Sequence, residues 1–386
     1  MNRCEINTSK TKIVEIRKQM RNYPEGETLF DFDIVADYKY LGVPIDCSLT
    51  MSTYLEALKK KITRLTAYTY KLQLRECAVA TRLQVWKTYI KPHFDYAIEM
   101  WQLGKLHTKF ETKVWPIFFQ SLKRTVGLPV TTSNYRTLAA LGLWHPKFVS
   151  ALQFFKSVFQ LMRQYNSREE FEESLPHIAQ ALTTLEESVL RGEQKIVYTA
   201  RSRAADMFDQ LDNIVQHLKG ENLKEIVLNT VPPEDQERIS SQVLIGTHHK
   251  NIYHGGSEGN GAAYLRFLTN RSLNLRRWSS GSNDLDRCAF CEQRTSQEHF
   301  MLDCWALKSR TSEFFDDIRK TMKQLIPPKK FGQMQLPNQR ILDMIRFLRF
   351  DVIVQPLGKK KFYKLNLKIN EGFRKLEMHF NELFLS

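Results

Sequence analysis

Short β-branched and aromatic runs open the chain. Ile13-Val14-Glu15-Ile16 and Phe30-Asp31-Phe32-Asp33-Ile34-Val35, separated by a polar loop with Pro24 and Gly26, predict two strands. A third run, Tyr38-Lys39-Tyr40-Leu41-Gly42-Val43-Pro44, is bounded by Gly and Pro and predicts a strand ending in a tight turn. From about Thr53 the period becomes helical. Leu55, Leu58, Ile62, Leu65 and Leu72 recur at three- and four-residue steps and, at about 100° per residue, share one face. Lys60, Arg64, Lys71 and Arg75 fall on the opposite face, as a solvated side or as a surface for a polyanion.

Helical spacing continues through Leu83, Trp86 and Ile90, with Pro92 ending that helix or opening the next, which presents Phe94, Ile98 and Trp101. A further helix with Phe110, Val114, Phe118 and Leu122 stops near Gly127 and Pro129. Trp86, Phe94, Trp101 and Phe118 keep aliphatic neighbours at helical steps, which assigns them to the core rather than to base stacking. Phe148, Leu152, Phe155, Phe159 and Met162 line one side of the next helical stretch. The acidic run from Glu169 to Glu173 is a linker or an exposed helix start, and the pattern stays helical to about Ser241. His254-Gly255-Gly256-Ser257-Glu258-Gly259-Asn260-Gly261 reads as a linker, since no Lys follows to make a phosphate-binding loop. The helix after it carries Arg266, Arg271, Arg276 and Arg277. The expected fold is therefore mainly α, with a short β element at the N-terminal end.

Composition sharpens this picture in two ways. The 386 residues are 42% hydrophobic, enough to bury real cores, and the formal net charge of +15 favours a polyanionic partner such as RNA or DNA. No apolar run of bilayer length and no apolar leader stands out, so a soluble, intracellular protein without a membrane partner is expected. The cysteines divide: Cys4, Cys47 and Cys77 stand apart as buried small hydrophobes, while Cys288, Cys291 and Cys304 cluster beside His299.

Cys288-x2-Cys291-x7-His299-x4-Cys304 offers the donor set of a tetrahedral zinc site. Four protein ligands close the shell, so the zinc would be structural. The alternative is three cysteines and a histidine gathered by packing. The middle gap is longer than in the short retroviral knuckle, Cys-x2-Cys-x4-His-x4-Cys. Phe290, Arg294 and Trp305 flank the cluster and could meet a single strand, although packing of Trp305 beneath the metal turn is the expected use.

The order of these motifs resembles the reverse transcriptases of non-LTR, LINE-type retrotransposons. Asn7-Thr8-Ser9-Lys10-Thr11 followed by Lys12-Ile13-Val14-Glu15 is similar to the stretch after that family's active-site aspartates. Tyr38-Lys39-Tyr40-Leu41-Gly42-Val43 resembles its primer-grip turn, and Tyr89 to Tyr96 resembles a stretch of its thumb. Phe267-Leu268-Thr269-Asn270, the Arg-rich helix and the Cys/His cluster resemble the C-terminal region of the same polyproteins. The resemblance implies a division into the end of a palm with a primer-grip-like turn (1–45), thumb-like helices (46–130), a helical domain (131–253), a Gly-rich linker with a basic helix (254–280), a zinc knuckle (281–310) and a C-terminal helical segment (311–386).

Carried residue by residue, the resemblance implies that Lys10 lies near the departing pyrophosphate and that Tyr40, Leu41 and Gly42 position a primer end. Lys60, Arg64, Lys71 and Arg75 would face a nucleic-acid backbone, with Arg266, Arg271, Arg276 and Arg277 as further contacts. The family's metal-binding aspartates have no counterpart in the sequence, so no catalytic residue is assigned and no polymerisation by this chain alone is expected. Magnesium would serve only the complete polymerase, whose N-terminal half is a candidate partner. A nuclease after the cysteines would need an acidic-x-Lys element, and the residues around Asp351, Lys364 and Lys368 do not form one. The competing class is a helical scaffold or assembly protein with a structural zinc and acidic protein partners.

Overall fold

The computed structural model describes residues 11–16, 28–29, 32–40, 42–71, 77–103, 106–192, 196, 204–230, 288, 290–291, 293, 296–346 and 358–385. Lys10, Leu41, Arg75, the Gly-rich loop, the helix with Arg266, Arg271, Arg276 and Arg277, Arg294 and Asp351 lie outside the described residues. The fold is mainly helical with a few short strands. It divides into two compact units, one of residues 1–68, 88–121 and 149–214, the other of 69–87, 122–148 and 215–386. No described helix is long and apolar enough to cross a membrane.

In the first unit, β1 (Lys12–Ile13) pairs in parallel with β3 (Phe32–Ile34), and β2 (Thr28–Leu29) pairs antiparallel with β3. Lys12 and Asp33 form an ion pair across this sheet. The third β run is a complete hairpin rather than one strand ending at a turn. β4 (Asp37–Tyr40) pairs antiparallel with β5 (Val43–Asp46), with Pro44 inside the second strand opposite Lys39. A two-stranded ladder leaves each strand an outer edge where a residue without an N–H is tolerated. The turn needs a left-handed residue, supplied by Gly42 at φ 91°. The Tyr96 hydroxyl lies 3.4 Å from the position a Cβ on Gly42 would take.

A loop held by Asp46 leads from the hairpin into α1 (Ser52–Lys71). Leu49 and Met51 adopt left-handed φ of 51° and 59°, unusual for residues with a Cβ. The buried Asp46 carboxylate accepts hydrogen bonds from the Ser48 hydroxyl at 2.6 Å and from the amides of Thr50 at 2.9 Å and Ser52 at 3.1 Å. Burial opposes the charge, but the Ser48, Thr50 and Ser52 donors outweigh it and hold Asp46 below the usual carboxylate range. Lys109 closes the loop by donating to the Thr50 carbonyl at 2.8 Å.

α1 starts one residue before the expected position, and Lys60 and Arg64 are exposed as their spacing implies. The buried face is centred on Tyr54, Leu58, Ile62 and Thr66, with Leu55 and Leu65 half-buried at its margin. Thr66 is tolerated there because its hydroxyl donates to the Ile62 carbonyl at 2.8 Å. Aromatic packing builds the rest of this core. Phe94 meets Phe118 edge-on at 5.2 Å, Trp101 stacks on Phe110 at 5.7 Å, and Tyr54 lies 5.8 Å from Trp101. α2 (Val79–Val85) continues into a π-helical turn at Trp86–Ile90, and Pro92 sits in the first turn of α3 (Lys91–Asp95), where its missing N–H costs nothing. Trp86, Phe94, Trp101 and Phe118 are all buried, as their spacing predicts.

A short helix, α4 (Leu106–Lys109), runs through a second π-helical turn at Phe110–Val114 into α5 (Trp115–Val126). Gly127 ends α5 at φ 83°, and the Leu128 amide reaches back to the Lys123 carbonyl at 2.8 Å. α6 (Asn134–Leu141) starts on a Ser133 cap, and α7 (Pro146–Met162) follows. The acidic run is a helix start: Ser167 caps α8 (Arg168–Ser174). Arg168 forks onto Glu186 of α9 (Pro176–Ser188) at 3.0 and 2.9 Å, and the Ile196 amide donates to the same carboxylate at 2.8 Å. α10 (Ala204–Thr230) is the next described helix.

The second unit has its own polar fixings. The His145 amide donates to Asn222 at 2.8 Å, Tyr135 stacks on the His145 ring at 5.3 Å, and the Tyr135 hydroxyl reaches Glu225 at 2.8 Å. Further along are α11 (Lys308–Leu325), α12 (Pro328–Gly332), α13 (Asn338–Arg346) and α14 (Gly358–Leu385). α11 and α14 approach closely where Gly372 faces the Phe314 ring, and Phe314 also meets Phe373 at 5.0 Å.

Candidate metal centre

The sequence places two thiols on a short turn and two donors at the ends of one helical turn. The Cys288 amide donates to the Gln293 carbonyl at 2.8 Å, which closes the loop bearing Cys288 and Cys291. His299–Asp303 is a π-helical turn, and the Cys304 amide returns to the His299 carbonyl at 2.7 Å. This register puts residues five apart over one another. In an α-helix they would stand about 140° apart. The Ser296 hydroxyl accepts from the His299 amide at 2.9 Å and fixes the start of the turn.

Sγ of Cys288, Cys291 and Cys304 and a ring nitrogen of His299 all lie within 4.8 Å of one another. Among the described residues this is the one such group of Cys, His and carboxylate side chains. Cys291 Sγ is 3.0 Å from His299 Nε2, and Cys288 Sγ is 3.9 Å from Cys304 Sγ. With zinc–sulfur bonds near 2.3 Å, two thiolates on a tetrahedral zinc stand about 3.8 Å apart, so the spacing fits. The sulfurs are too far apart for a disulfide, and all three cysteines are free. Cys288, His299 and Cys304 are buried, Cys291 is half-buried, and Phe300 and Leu307 pack with Cys288 and Cys304.

Burial opposes charge on the donors of this cluster. Burial pushes the Cys304 thiol up to about 12, with Cys288 adding to it, and burial also raises Cys291 and lowers His299. Thiols so placed ionise when a divalent ion supplies the opposing charge. Three thiols and one imidazole match zinc, and four protein donors leave no open position for catalysis, so the metal's contribution would be structural. His299 Nε2 faces Cys291 and is the candidate ligand atom, while Nδ1 is buried without a hydrogen-bond partner among the described residues.

Trp305 departs from its expected place. It does not pack beneath the metal turn but stands 67% exposed, with its indole N–H donating to the Phe290 carbonyl at 3.1 Å. Of the residues expected to meet nucleic acid, Tyr40 is exposed at the end of β4, Gly42 occupies the hairpin turn, and Lys60 and Arg64 are exposed on α1, with Lys71 in its last turn. Tyr96 was not singled out by spacing. It lies half-exposed with its hydroxyl toward Gly42, and its carbonyl accepts from the Tyr54 hydroxyl at 3.2 Å. Its place in an aromatic-rich helical stretch gave no sign of that contact. No family model, curated protein or solved structure matches the chain.

Proposed function

We propose that the chain is a nucleic-acid-binding C-terminal part of a non-LTR-type reverse transcriptase, built around a structural zinc. The observation that carries this reading is the convergence of Cys288, Cys291, His299 and Cys304 into one cluster of tetrahedral size. It stands at the point in the motif order where the resemblance expects a Cys/His element. A net charge of +15 and the exposed Lys60 and Arg64 on the helix that follows the Tyr40–Gly42 hairpin support a polyanionic ligand. The chain binds rather than copies, because the sequence has no counterpart of the family's metal-binding aspartates. Copying would require a magnesium-bearing polymerase half as partner.

The test is binding of RNA and DNA oligonucleotides across a salt series, with zinc measured on the same sample. About one zinc per chain and an affinity that falls steeply with salt are expected. Absence of binding at moderate salt would overturn the reading. One observation favours a helical scaffold as the second reading: a cavity of about 200 Å³ between α11 and α14, where Phe314, Leu376 and the exposed Met378 are joined in the lining by charged residues such as Arg310, Lys368 and Glu371. That reading expects retained zinc and capture of a protein partner without nucleic acid.

A further inference from the structure

We infer that Trp305 is a base-stacking contact for single-stranded nucleic acid, held in place by the metal-binding turn. The inference rests on the nucleic-acid reading above and adds to it a residue, a strand type and a link to the metal.

Trp86 and Trp101 are buried, whereas two thirds of Trp305 faces water. Its single polar atom is already satisfied by the Phe290 carbonyl, so the ring needs no further polar partner. That bond also fixes the ring. Phe290 lies between Cys288 and Cys291 and packs against the Cys288–Phe300–Cys304–Leu307 cluster, while Trp305 directly follows Cys304. Both attachments of the indole therefore adjoin metal-ligand positions. A face held in this way loses little freedom when a flat group settles on it.

The surroundings select the flat group. Asp303, Lys308, Ser309 and Arg310 are exposed, so charged and polar residues border the indole along the chain. Lys308 stands one helical turn beyond Trp305, its amide returning to the Trp305 carbonyl at 3.3 Å. An aromatic face next to a cation suits a base and its phosphate. Paired bases have their faces covered, so the matching ligand is a single strand.

The experiment uses the full chain with zinc determined in each sample, and short oligouridylate, oligodeoxythymidylate and a duplex as probes. Trp305→Ala should bind the single strands at least about 10-fold more weakly, with zinc content unchanged, and Trp305→Phe should restore most of the loss. The factor should be the same at every salt concentration, because stacking releases no counterions. Duplex binding should not change. Single-strand affinity unaltered in Trp305→Ala would overturn the inference, and so would an equal loss on duplex. If the unsubstituted chain binds none of the probes, the nucleic-acid reading itself fails.

Discussion

At the scale of single residues, buried charges are the sharpest commitments of this fold. Glu186 receives two guanidinium bonds from Arg168 and one from the Ile196 amide, and its side chain is almost fully enclosed. Glu186→Ala would leave the Ile196 amide without its acceptor and Arg168 with only Glu172 and the Ile196 carbonyl as partners, and a loss of about 1–3 kcal/mol is expected in denaturant unfolding. His145 gives a dependence on pH. Burial, aided by Lys147, lowers its pKa to about 4, so the folded chain holds the ring neutral. The unfolded chain takes up that proton first as pH falls below about 6.5. The stability from neutral His145 is thus complete above that pH and is lost on the way down to about pH 4, by at most about 3 kcal/mol. Unfolding midpoints of wild type and His145→Asn at about pH 7 and about pH 4 should separate this part from the rest.

At the scale of elements, two glycines show how packing decides the sign of a substitution. A Cβ on Gly372 would overlap the Phe314 ring, which is held by Phe373, so Gly372→Ala should destabilise by about 1–3 kcal/mol. Gly220, inside α10, has nothing within 4 Å of the corresponding position. Gly220→Ala should stabilise by about 0.5–1 kcal/mol, and thermal melts of the two variants should move in opposite directions. The same scale explains what the sequence makes legible. Trp86, Phe94, Trp101 and Phe118 declare their burial through helical spacing, and Gly127 declares the end of α5 because a left-handed residue there favours glycine. The π-helical turns have no such sign, since one extra residue in a turn hardly disturbs an apolar pattern. The second strand of the hairpin was hidden by Pro44, which reads as a terminator. Asp46 and Glu186 were equally hidden, because their roles depend on partners brought near by folding.

At the scale of the whole molecule, the Cys/His cluster that could hold a metal was legible from spacing, while the orientation of Trp305 depended on a single hydrogen bond to a backbone carbonyl. Zinc analysis should give about one ion per chain. Cys304→Ser should lose it, and Cys47→Ser and Cys77→Ser should keep it, since neither belongs to the cluster. Chelation should raise amide exchange first in residues 296–325, where the candidate ligands His299 and Cys304 lead into α11. Simultaneous loss of protection throughout the chain would show instead that the cluster supports the entire fold.

The π-helical turn at His299–Asp303 also bears on how such a centre could be gained or lost by inheritance. Its candidate ligand pair depends on the match between spacing and helical pitch more than on the identity of the residues between. Removing any one residue from 300–303 would let the turn relax into an ordinary α-helix and leave the two ligands four apart, about 40° around the helix and still on one face. A deletion of one codon there would therefore keep the pair on one face, whereas the same five-residue spacing carried on a regular α-helix would set the two about 140° apart with all four residues still present in the sequence.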